Sequence, residues 1–490
     1  MMEVIVSAVL GDIISRSVSF FVDRYRRLQT GGAEESLRRL LLRVQAIVEE
    51  AERRDITNQA MLRQLDTLRH GMYRGYYVLD VFTAKDEVRD DSFTLCRFSP
   101  AKRLCLSART PKSMLFGGKG HNVKLREVLS SLEMTVADME EFVLFLNCYP
   151  PMCREPCSSY LVVSDMCMFG RHTEYERIVS FLLQRIGTGN LSVLPIVGPV
   201  RVGKSTLVEH VCYDGRVRGS FSSIVFFSGD DLEGMKATAN ALQDSGVIKY
   251  RSGASHGRLL IILELIGDLE EETWRRFCSL LSHMAHGSKV IVTSRSERIV
   301  QFGTTQALKL NALPEEAYWY YFKSIALTSA GPEDYSELSS IAMDIAPELK
   351  ASFGNAHIVG TILRANPDVL FWREVLKHIR ECSVKNLLLF GQDPLDLLQK
   401  GHPVYLWRMT GSSEVLIAHR CYQVCSSAQH EVPKLTLHDI LCGRAIPRKS
   451  FEVLAWKSQI PPYYSYLVSC SIMSSRHVVV KKKRSRLQSI

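Results

Sequence analysis

Residues Val193 to Val211 read VLPIVGPVRVGKSTLVEHV, and this stretch decides the fold of the central part of the chain. An apolar run comes first, then Gly-x-x-x-x-Gly-Lys-Ser from Gly198 to Ser205, and then a run with the pattern of a helix. This spacing is typical of a loop that binds the phosphates of a nucleotide between a strand and a helix. The alternative is a glycine turn before an ordinary helix, which would bind no ligand.

Each position in the loop has a predicted role. The two glycines let the backbone wrap so that several N–H groups converge on a phosphate, and the following helix adds its positive N-terminal end. Lys204 would bring a charge to the outer phosphates, and the hydroxyl of Ser205 would be a magnesium ligand. The predicted nucleotide-binding residues are Gly198, Arg201, Val202, Gly203, Lys204, Ser205, Thr206 and, from a later strand, Arg295.

A second apolar run, Leu260 to Glu264, ends in the acid expected beside such a loop. Glu264 is one methylene longer than the usual aspartate, so we expect a weak magnesium ligand that reaches the ion through a water or from a shifted strand. The next residue is Leu265, which cannot take a proton from an attacking water, and Asp268 is a candidate to substitute for it. Loss of a general base usually costs roughly 10²- to 10⁴-fold in rate, so we expect at most slow hydrolysis of ATP.

A third apolar run, Gly287 to Arg295, ends in a positive charge. Open α/β sheets bind their ligands at the carboxyl ends of the strands, so Arg295 is predicted to touch a terminal phosphate. The alternative for Arg295 is an ordinary surface ion pair.

Fully apolar runs of five or six residues are typical of parallel strands buried on both faces. Their alternation with helical stretches predicts a three-layer α/β domain with a parallel sheet over 166–310. Apolar residues at three- and four-residue steps predict an all-α four-helix bundle over 1–150, with its last helix over 123–146 and an irregular loop over 86–120. The remaining divisions are a linker at 151–165, a partial helical region at 311–390 and a C-terminal region at 391–490 whose fold the pattern leaves open.

Composition and charge argue against several classes of protein. The 490 residues include 13 cysteines but no CxxC pair, so we expect reduced thiols rather than a zinc site. The formal charge of +9 comes from 61 basic and 52 acidic residues, a balance too even to indicate a nucleic-acid partner. No uncharged apolar run approaches the roughly eighteen residues of a membrane span. We therefore expect a cytoplasmic protein, and the basic run at 478–486 leaves a nuclear location as the alternative.

Together these motifs resemble the plant disease-resistance proteins that combine a coiled-coil N-terminal domain, an NB-ARC domain and leucine-rich repeats. The stretch from Val193 is similar to that family's phosphate-binding loop, GSKVIVTSR to its sensor strand, and LNALPEEAYWYYFKSIAL (310–327) to its aromatic helix. FGRHTEYERIVSFLL (169–183) resembles the stretch that leads into the nucleotide-binding domain and packs on the adenine. The helices of 1–150 resemble the family's Rx-type N-terminal domain. The chain is identified as a divergent member in which the leucine-rich repeats are missing.

The resemblance implies a signalling switch. In such proteins ADP holds a compact resting form, and exchange for ATP allows oligomerisation through the N-terminal helices, which leads to a defence response. Two departures stand out. The family's acidic signature would fall on 75–80, where only Val78-Leu79-Asp80 fit, and the proline of its Gly-Leu-Pro-Leu motif is Phe353 here.

We therefore predict a signalling switch of the plant immune-receptor type that binds ADP or ATP, with magnesium, and hydrolyses ATP weakly or not at all. Its expected partners are the nucleotide, other proteins that dock on the N-terminal helices and, on activation, further copies of the chain. One alternative is a helper or decoy interaction protein whose nucleotide site is a relic. The second is an active P-loop ATPase, which would need a carboxylate base that Leu265 does not supply.

Overall fold

The computed structural model describes residues 32–54, 56–91, 118–150, 168–184, 191–199, 202–229 and 247–474, the last range with gaps of up to seven residues. Contacts divide the chain into two compact units. The first joins 1–160 with residues 314–323 and 330–343, and the second contains the remainder from 161 onward. The predicted linker at 151–165 lies outside the described residues, and the predicted domain bounds stay predictions.

The described N-terminal residues are helical, as the sequence predicts. They form α1 (Ala33–Glu52), α2 (Gln59–Asp91), α3 (Gly118–Ala137) and α4 (Glu140–Leu146). The buried face of α1 is the predicted apolar stripe, with Leu37, Leu41 and Val44 among its residues. Gly71 and Gly75 of α2 give these helices room to approach, because a Cβ there would lie 2.8 Å from Leu132 and 2.6 Å from Leu41.

Two details differ from the prediction. The helix α2 continues to Asp91 and α3 begins at Gly118, so the expected loop at 86–120 is helical at both ends. The expected helix at 123–146 is broken between Ala137 and Glu140, and this break leaves Met139 and Phe142 both buried. The N-terminal segment of the predicted bundle, residues 1–31, lies outside the described residues.

The helix α9 (Glu315–Ala326) contributes its first turns to the same unit. There the hydroxyl of Tyr77 on α2 donates a hydrogen bond of 2.8 Å to Glu315. The ring of Tyr320 lies with its centroid 4.9 Å from that of Tyr73. Tyrosine suits such a place because its ring packs while its hydroxyl finds a polar partner, and the aromatic run of α9 is therefore part of the core of the first unit.

The second unit contains the predicted α/β sheet. Its strands are β1 (Ser192–Val197), β2 (Ser223–Ser228), β3 (Val247–Arg251), β4 (Leu259–Glu264), β5 (Lys289–Ser294) and β6 (Leu308–Lys309). Their order is β3-β2-β4-β5-β1-β6, and every neighbouring pair is parallel except β2 with β3. The antiparallel edge strand β3 is a feature that the sequence does not predict.

Helices cover both faces of this sheet and make it three-layered. On one face α5 (His172–Leu183) and α6 (Lys204–Cys212) share a hydrophobic core with alternate residues of the strands, such as Leu194 and Ile196 of β1. On the other face α8 (Glu271–Leu281) packs on the intervening residues. A short helix, α7 (Gly215–Arg218), follows α6. Burial on both faces explains why these strands are apolar throughout.

The rest of the second unit consists of helices and a second sheet. The helices are α10 (Tyr335–Ile345), which begins in the first unit, α11 (Phe353–Ala365) and α12 (Val369–Phe390), with a short α13 (Leu437–Leu441). The C-terminal sheet is antiparallel, in the order β7-β8-β10-β9, and is formed by β7 (Val404–Trp407), β8 (Glu414–Cys425), β9 (Ser450–Lys457) and β10 (Tyr464–Ser474). The sequence pattern leaves this region open, so the C-terminal sheet is a finding of the structure.

Candidate nucleotide site

The phosphate-binding loop has the backbone that its glycines predict. Gly203 has a φ of +85°, in the left-handed region that favours glycine, and it is the residue from which α6 begins. Gly198 must lack a side chain for another reason, because a Cβ there would lie 2.3 Å from the carbonyl oxygen of Leu310. No side chain caps the start of α6, so its first amides stay directed at the loop.

Lys204 lies across this loop. Its ammonium donates hydrogen bonds of 2.7 Å to the carbonyl oxygens of Gly198 and Pro199. Burial lowers the pKa of Lys204, the charge of Arg295 lowers it further, and the charge of Glu264 opposes both. The three predicted site residues from three different strand ends are therefore close enough to interact electrostatically.

The strand order of the sheet explains why Lys204, Arg295 and Glu264 lie near one another. The strand β5 lies between β1 and β4, so its carboxyl end carries Arg295 into the space between the loop and Glu264. Arg295 is exposed just after β5, and its contact with a phosphate stays a prediction. Arg201, the other predicted cation, lies outside the described residues.

The two predicted magnesium ligands are in direct contact. The hydroxyl of Ser205 donates a hydrogen bond to the carboxylate of Glu264, which is exposed at the end of β4. Glu264 therefore reaches the loop directly from the end of β4. A hydroxyl and a carboxylate are oxygen ligands of the kind that Mg²⁺ takes together with the phosphates of a substrate. The pair fits a magnesium ion on a bound nucleotide, and within the described residues no group of three His, Cys, Asp or Glu side chains is placed to hold a metal alone.

The place of a hydrolytic base is filled by an apolar side chain. Leu265 is 5% exposed and packs in the core on the α8 face of the sheet. Its backbone N–H donates to the carbonyl of Thr293 at 2.9 Å, so β4 continues its pairing past Glu264. Asp268, the candidate substitute, lies 3.0 Å from Arg298 in a surface ion pair.

The remaining predicted residues have mixed roles. Val202 is buried and packs in the core on the α6 face, so its part is to anchor the loop. Thr206 lies in the first turn of α6 and is partly buried.

The structure adds neighbours that sequence reasoning did not place in the site. Met168 and Phe353 both approach Gly203: a Cβ on this glycine would lie 2.1 Å from the methyl of Met168 and 3.9 Å from the ring of Phe353. Arg171 is 4% exposed, donates to the carbonyl of Asn311, and has a buried Nε atom without a partner among the described residues. The signal for this side of the site was the resemblance of FGRHTEYE to the segment that packs on adenine, which gives no distances.

The architecture defines the class of the protein. A loop of this form between β1 and α6, at the carboxyl edge of five parallel strands with helices on both faces, is the arrangement of the α/β P-loop nucleotide-binding domain. Within the described residues no helix is both long and apolar enough to cross a bilayer.

Comparison with known proteins finds a low but extended similarity to disease-resistance proteins of plants. The chain is 24% identical over 413 residues to disease resistance protein RGA2 of Solanum bulbocastanum, a match over 77% of this chain and 39% of that protein. It is 25% identical over 361 residues to RPP13-like protein 1 of Arabidopsis thaliana, whose name also places it among disease-resistance proteins, over 70% of this chain and 34% of that protein. No family profile matches the chain. The chain is thus similar to plant disease-resistance proteins, and it spans about two-fifths or less of the length of these two proteins.

Proposed function

We propose that the chain is a nucleotide-binding switch of the plant immune-receptor type, which holds ADP or ATP with magnesium and hydrolyses ATP slowly or not at all. The observation that carries the proposal is the convergence of Lys204, Arg295 and the Ser205–Glu264 pair on one loop. The similarity to disease-resistance proteins supports the immune role.

Different residues of the loop and strand ends would bind different parts of the nucleotide. The amides at the start of α6 and the ammonium of Lys204 would hold the β-phosphate, since a helix N-terminus and a cation both favour an anion. Arg295 would meet the outermost phosphate from the end of β5. Ser205 and Glu264 would hold a magnesium ion, which would neutralise phosphate charge when bound.

Slow hydrolysis is expected because the carboxylates at and after the end of β4 are already engaged. Glu264 is engaged with Ser205, Leu265 is buried, and Asp268 is paired with Arg298. Among the described residues no further carboxylate follows Glu264 on this strand end, so an attacking water would have no committed base. The protein would then keep its nucleotide long enough to signal by exchange rather than by turnover.

The test is to identify the nucleotide that purified protein carries. We expect chromatography of the denatured protein to release ADP or ATP in stoichiometric amount from the wild type, and from a Lys377→Ala control in which an exposed lysine of α12 is removed. Lys204→Ala should carry far less. Absence of nucleotide from the wild type, together with no binding of added ADP, would contradict the proposal, as would turnover above about 1 s⁻¹, the low end of ordinary enzyme rates.

The relic alternative has one observation in its favour. Met168 and Phe353 pack against Gly203, and the ammonium of Lys204 is satisfied by carbonyls of the loop itself, so the loop also has a structural role. Lys204→Ala separates the two functions in plant cells. A helper protein with a relic site would keep its partner binding and its defence output in this variant, whereas a switch would lose both.

The proposal also covers where the protein acts and what it binds besides the nucleotide. We place the protein in the cytoplasm or nucleus, with protein partners and further copies of the chain docking through the N-terminal helices. The amphipathic character of α1 leaves Leu42, which is 65% exposed, available on its outer face.

A further inference from the structure

The turn that leads into α11 has a backbone conformation that its residues do not favour. The N–H of Ser352 donates a hydrogen bond of 3.2 Å to the carbonyl of Leu349, which closes a four-residue turn. The two central residues, Lys350 and Ala351, have φ of +54° and +51°, and they are the two non-glycine residues with positive φ in the described part of the chain. Such a pair is typical of a type I′ turn, where glycine, asparagine and aspartate are the usual residues. Contacts around the turn must therefore hold it in place.

The start of α11 is fixed directly after this turn. Ser352 is 5% exposed, and its hydroxyl accepts a hydrogen bond of 3.3 Å from the backbone N–H of Asn355, as an N-cap does. The side-chain amide of Asn355 donates to the carbonyl of Leu349 at 3.4 Å. These bonds join the turn to the first turn of the helix, so the turn sets the direction in which Phe353, the first residue of α11, extends.

Phe353 lies against the phosphate-binding loop. Its ring is partly buried and packs on the hydrophobic core of the α6 face, whose members include Val202 and Leu207. A Cβ on Gly203 would lie 3.9 Å from the ring of Phe353 and 2.1 Å from the methyl of Met168. The glycine from which α6 begins is therefore enclosed by two apolar side chains.

Other residues of α11 pack on the C-terminal sheet. The ring of His357 lies 5.3 Å from that of Trp456 on β9, and Nε1 of Trp456 is 3.5 Å from the position that a Cβ on Gly354 would take. Ile358 packs on the hydrophobic core that includes residues of this sheet. These contacts anchor α11 independently of its contact with the loop.

The loop needs such a support because its key residue is a glycine. Gly203 has a φ of +85°, and glycine permits this conformation without selecting it, since it adopts positive and negative φ about equally. The backbone N–H groups of the loop converge on a phosphate in one conformation only. The apolar side chains of Met168 and Phe353 supply the selection that the glycine lacks.

We propose that Phe353 is a nucleotide-positioning residue that acts through Gly203. Its ring holds the loop in the conformation that directs the amides at the phosphates, and the strained turn at Lys350 and Ala351 places the ring there. The ring acts on the backbone of the loop rather than by stacking on the base. This inference rests on the proposed function, because its readout is the binding of ADP.

The first experiment compares three variants of α11 by calorimetric titration with ADP. Phe353→Ala should bind ADP about three- to tenfold more weakly, as expected if the competent loop is populated for about a third to a tenth of the time. Phe353→Leu keeps apolar bulk against Gly203 and should restore most of the affinity. Ile358→Ala is the matched control, because it removes apolar surface from the same helix away from the loop. Both alanine variants should lower the thermal midpoint, but Ile358→Ala should keep the affinity of the wild type.

The second experiment tests the turn. A β-branched residue with positive φ is a genuine outlier, so Ala351→Val should displace the turn and weaken ADP binding as Phe353→Ala does. Ala351→Gly allows the same turn without strain and should keep the affinity of the wild type. Unchanged affinity in Ala351→Val would overturn the role of the turn.

The outcomes separate this inference from the proposed function. Unchanged ADP affinity in Phe353→Ala, or an equal loss in Ile358→Ala, would overturn the inference and leave the proposed function standing. Failure of Phe353→Leu to recover affinity would show that the aromatic ring itself meets the base, and this would overturn the inference as well. Failure of the wild type to bind ADP at all would overturn both.

Discussion

The carboxylate of Asp80 on α2 lies 2.7 Å from the ammonium of Lys323 on α9, and it also accepts a hydrogen bond of 2.9 Å from the indole of Trp319. The two charged side chains are 13% and 17% exposed, so the pair is largely removed from water. Asp80 is the last residue of the segment on which the resemblance places an acidic signature. Asp80 therefore adds a charged contact between α2 and α9 to the tyrosine contacts described above.

Replacing Asp80 should destabilise the first unit. Asp80→Asn keeps the shape but leaves the ammonium of Lys323 half-buried without its charge partner. Removal of one partner from a buried pair costs about 3–5 kcal/mol, and we expect about 2–4 kcal/mol here because some water reaches the pair. Chemical unfolding followed by far-ultraviolet circular dichroism measures the change. The control is Glu374→Gln, which breaks the exposed pair with Lys377 and should cost less than about 1 kcal/mol; equal stability of Asp80→Asn and wild type would show that the contact contributes nothing.

A carboxylate placed after Glu264 should harm the fold rather than create an ATPase. Leu265→Asp would put an unpaired charge into the core on the α8 face of the sheet, which costs several kcal/mol. Leu265→Met keeps an apolar side chain of similar volume and should cost less than about 1.5 kcal/mol. Thermal unfolding and a phosphate-release assay test both halves of this prediction. A folded Leu265→Asp protein that hydrolyses ATP faster than the wild type would show that the residue points into the site.

The sequence predicts the backbone of the loop between β1 and α6, and the parallel strands around it, because the signals for both are local. The spacing of Gly198, Gly203 and Lys204 specifies the bend of the loop, and the apolar runs before it and after it specify parallel strands. The position of Glu264 against Ser205 could be expected but not its distance, since the pairing of β4 with β5 sets how far the carboxylate reaches.

The parts that were not predicted depend on contacts between distant segments. The packed rings of His357, Trp456 and Tyr466 join α11 to β9 and β10, which lie about a hundred residues later in the chain, and no local pattern marks this contact. Likewise, the chain alternates too weakly between 391 and 490 to specify the order β7-β8-β10-β9, because strand register is set by cross-strand packing.

Lys289 should be important for stability although it is a charged residue in a strand. It is 1% exposed, and its ammonium donates to the carbonyls of Phe181 and, at 2.7 Å, of Gln184 at the end of α5. Lys289→Met would leave both carbonyls without this donor, which should lower the free energy of unfolding by about 2–4 kcal/mol. A Lys309→Met control removes an exposed lysine of β6 and should cost little. Equal unfolding midpoints for the wild type and Lys289→Met would contradict this role.

The lowered pKa of Lys289 also predicts how the free energy of unfolding changes at alkaline pH. Burial lowers the pKa of Lys289 to about 8, and the charge of Arg258 adds to this. The unfolded chain keeps its proton up to about pH 10.4, so between these values the unfolded state binds more protons and stability rises with pH. We therefore compare the free energy of unfolding of the wild type with that of Lys289→Met. The difference between them should be constant below about pH 8 and should shift in favour of the wild type above it, by at most about 3 kcal/mol. Unfolding series of the two proteins at matched pH test this, and a difference that falls with pH would contradict it.

The buried His357 predicts a loss of stability at acid pH. Its ring packs on Trp456, and burial, with the charge of Arg364, lowers its pKa to about 4. The unfolded chain takes up a proton at about pH 6.5, whereas the folded chain resists it, so stability should fall as pH drops from 6.5 to 4. The total loss for one such histidine is at most about 3 kcal/mol, and His378 on α12, with a pKa also lowered to about 4, should act in the same way. His357→Gln should remove part of the slope between pH 6.5 and 4, and adding His378→Gln should remove more; an unchanged slope in the double variant would mean that other groups govern unfolding in acid.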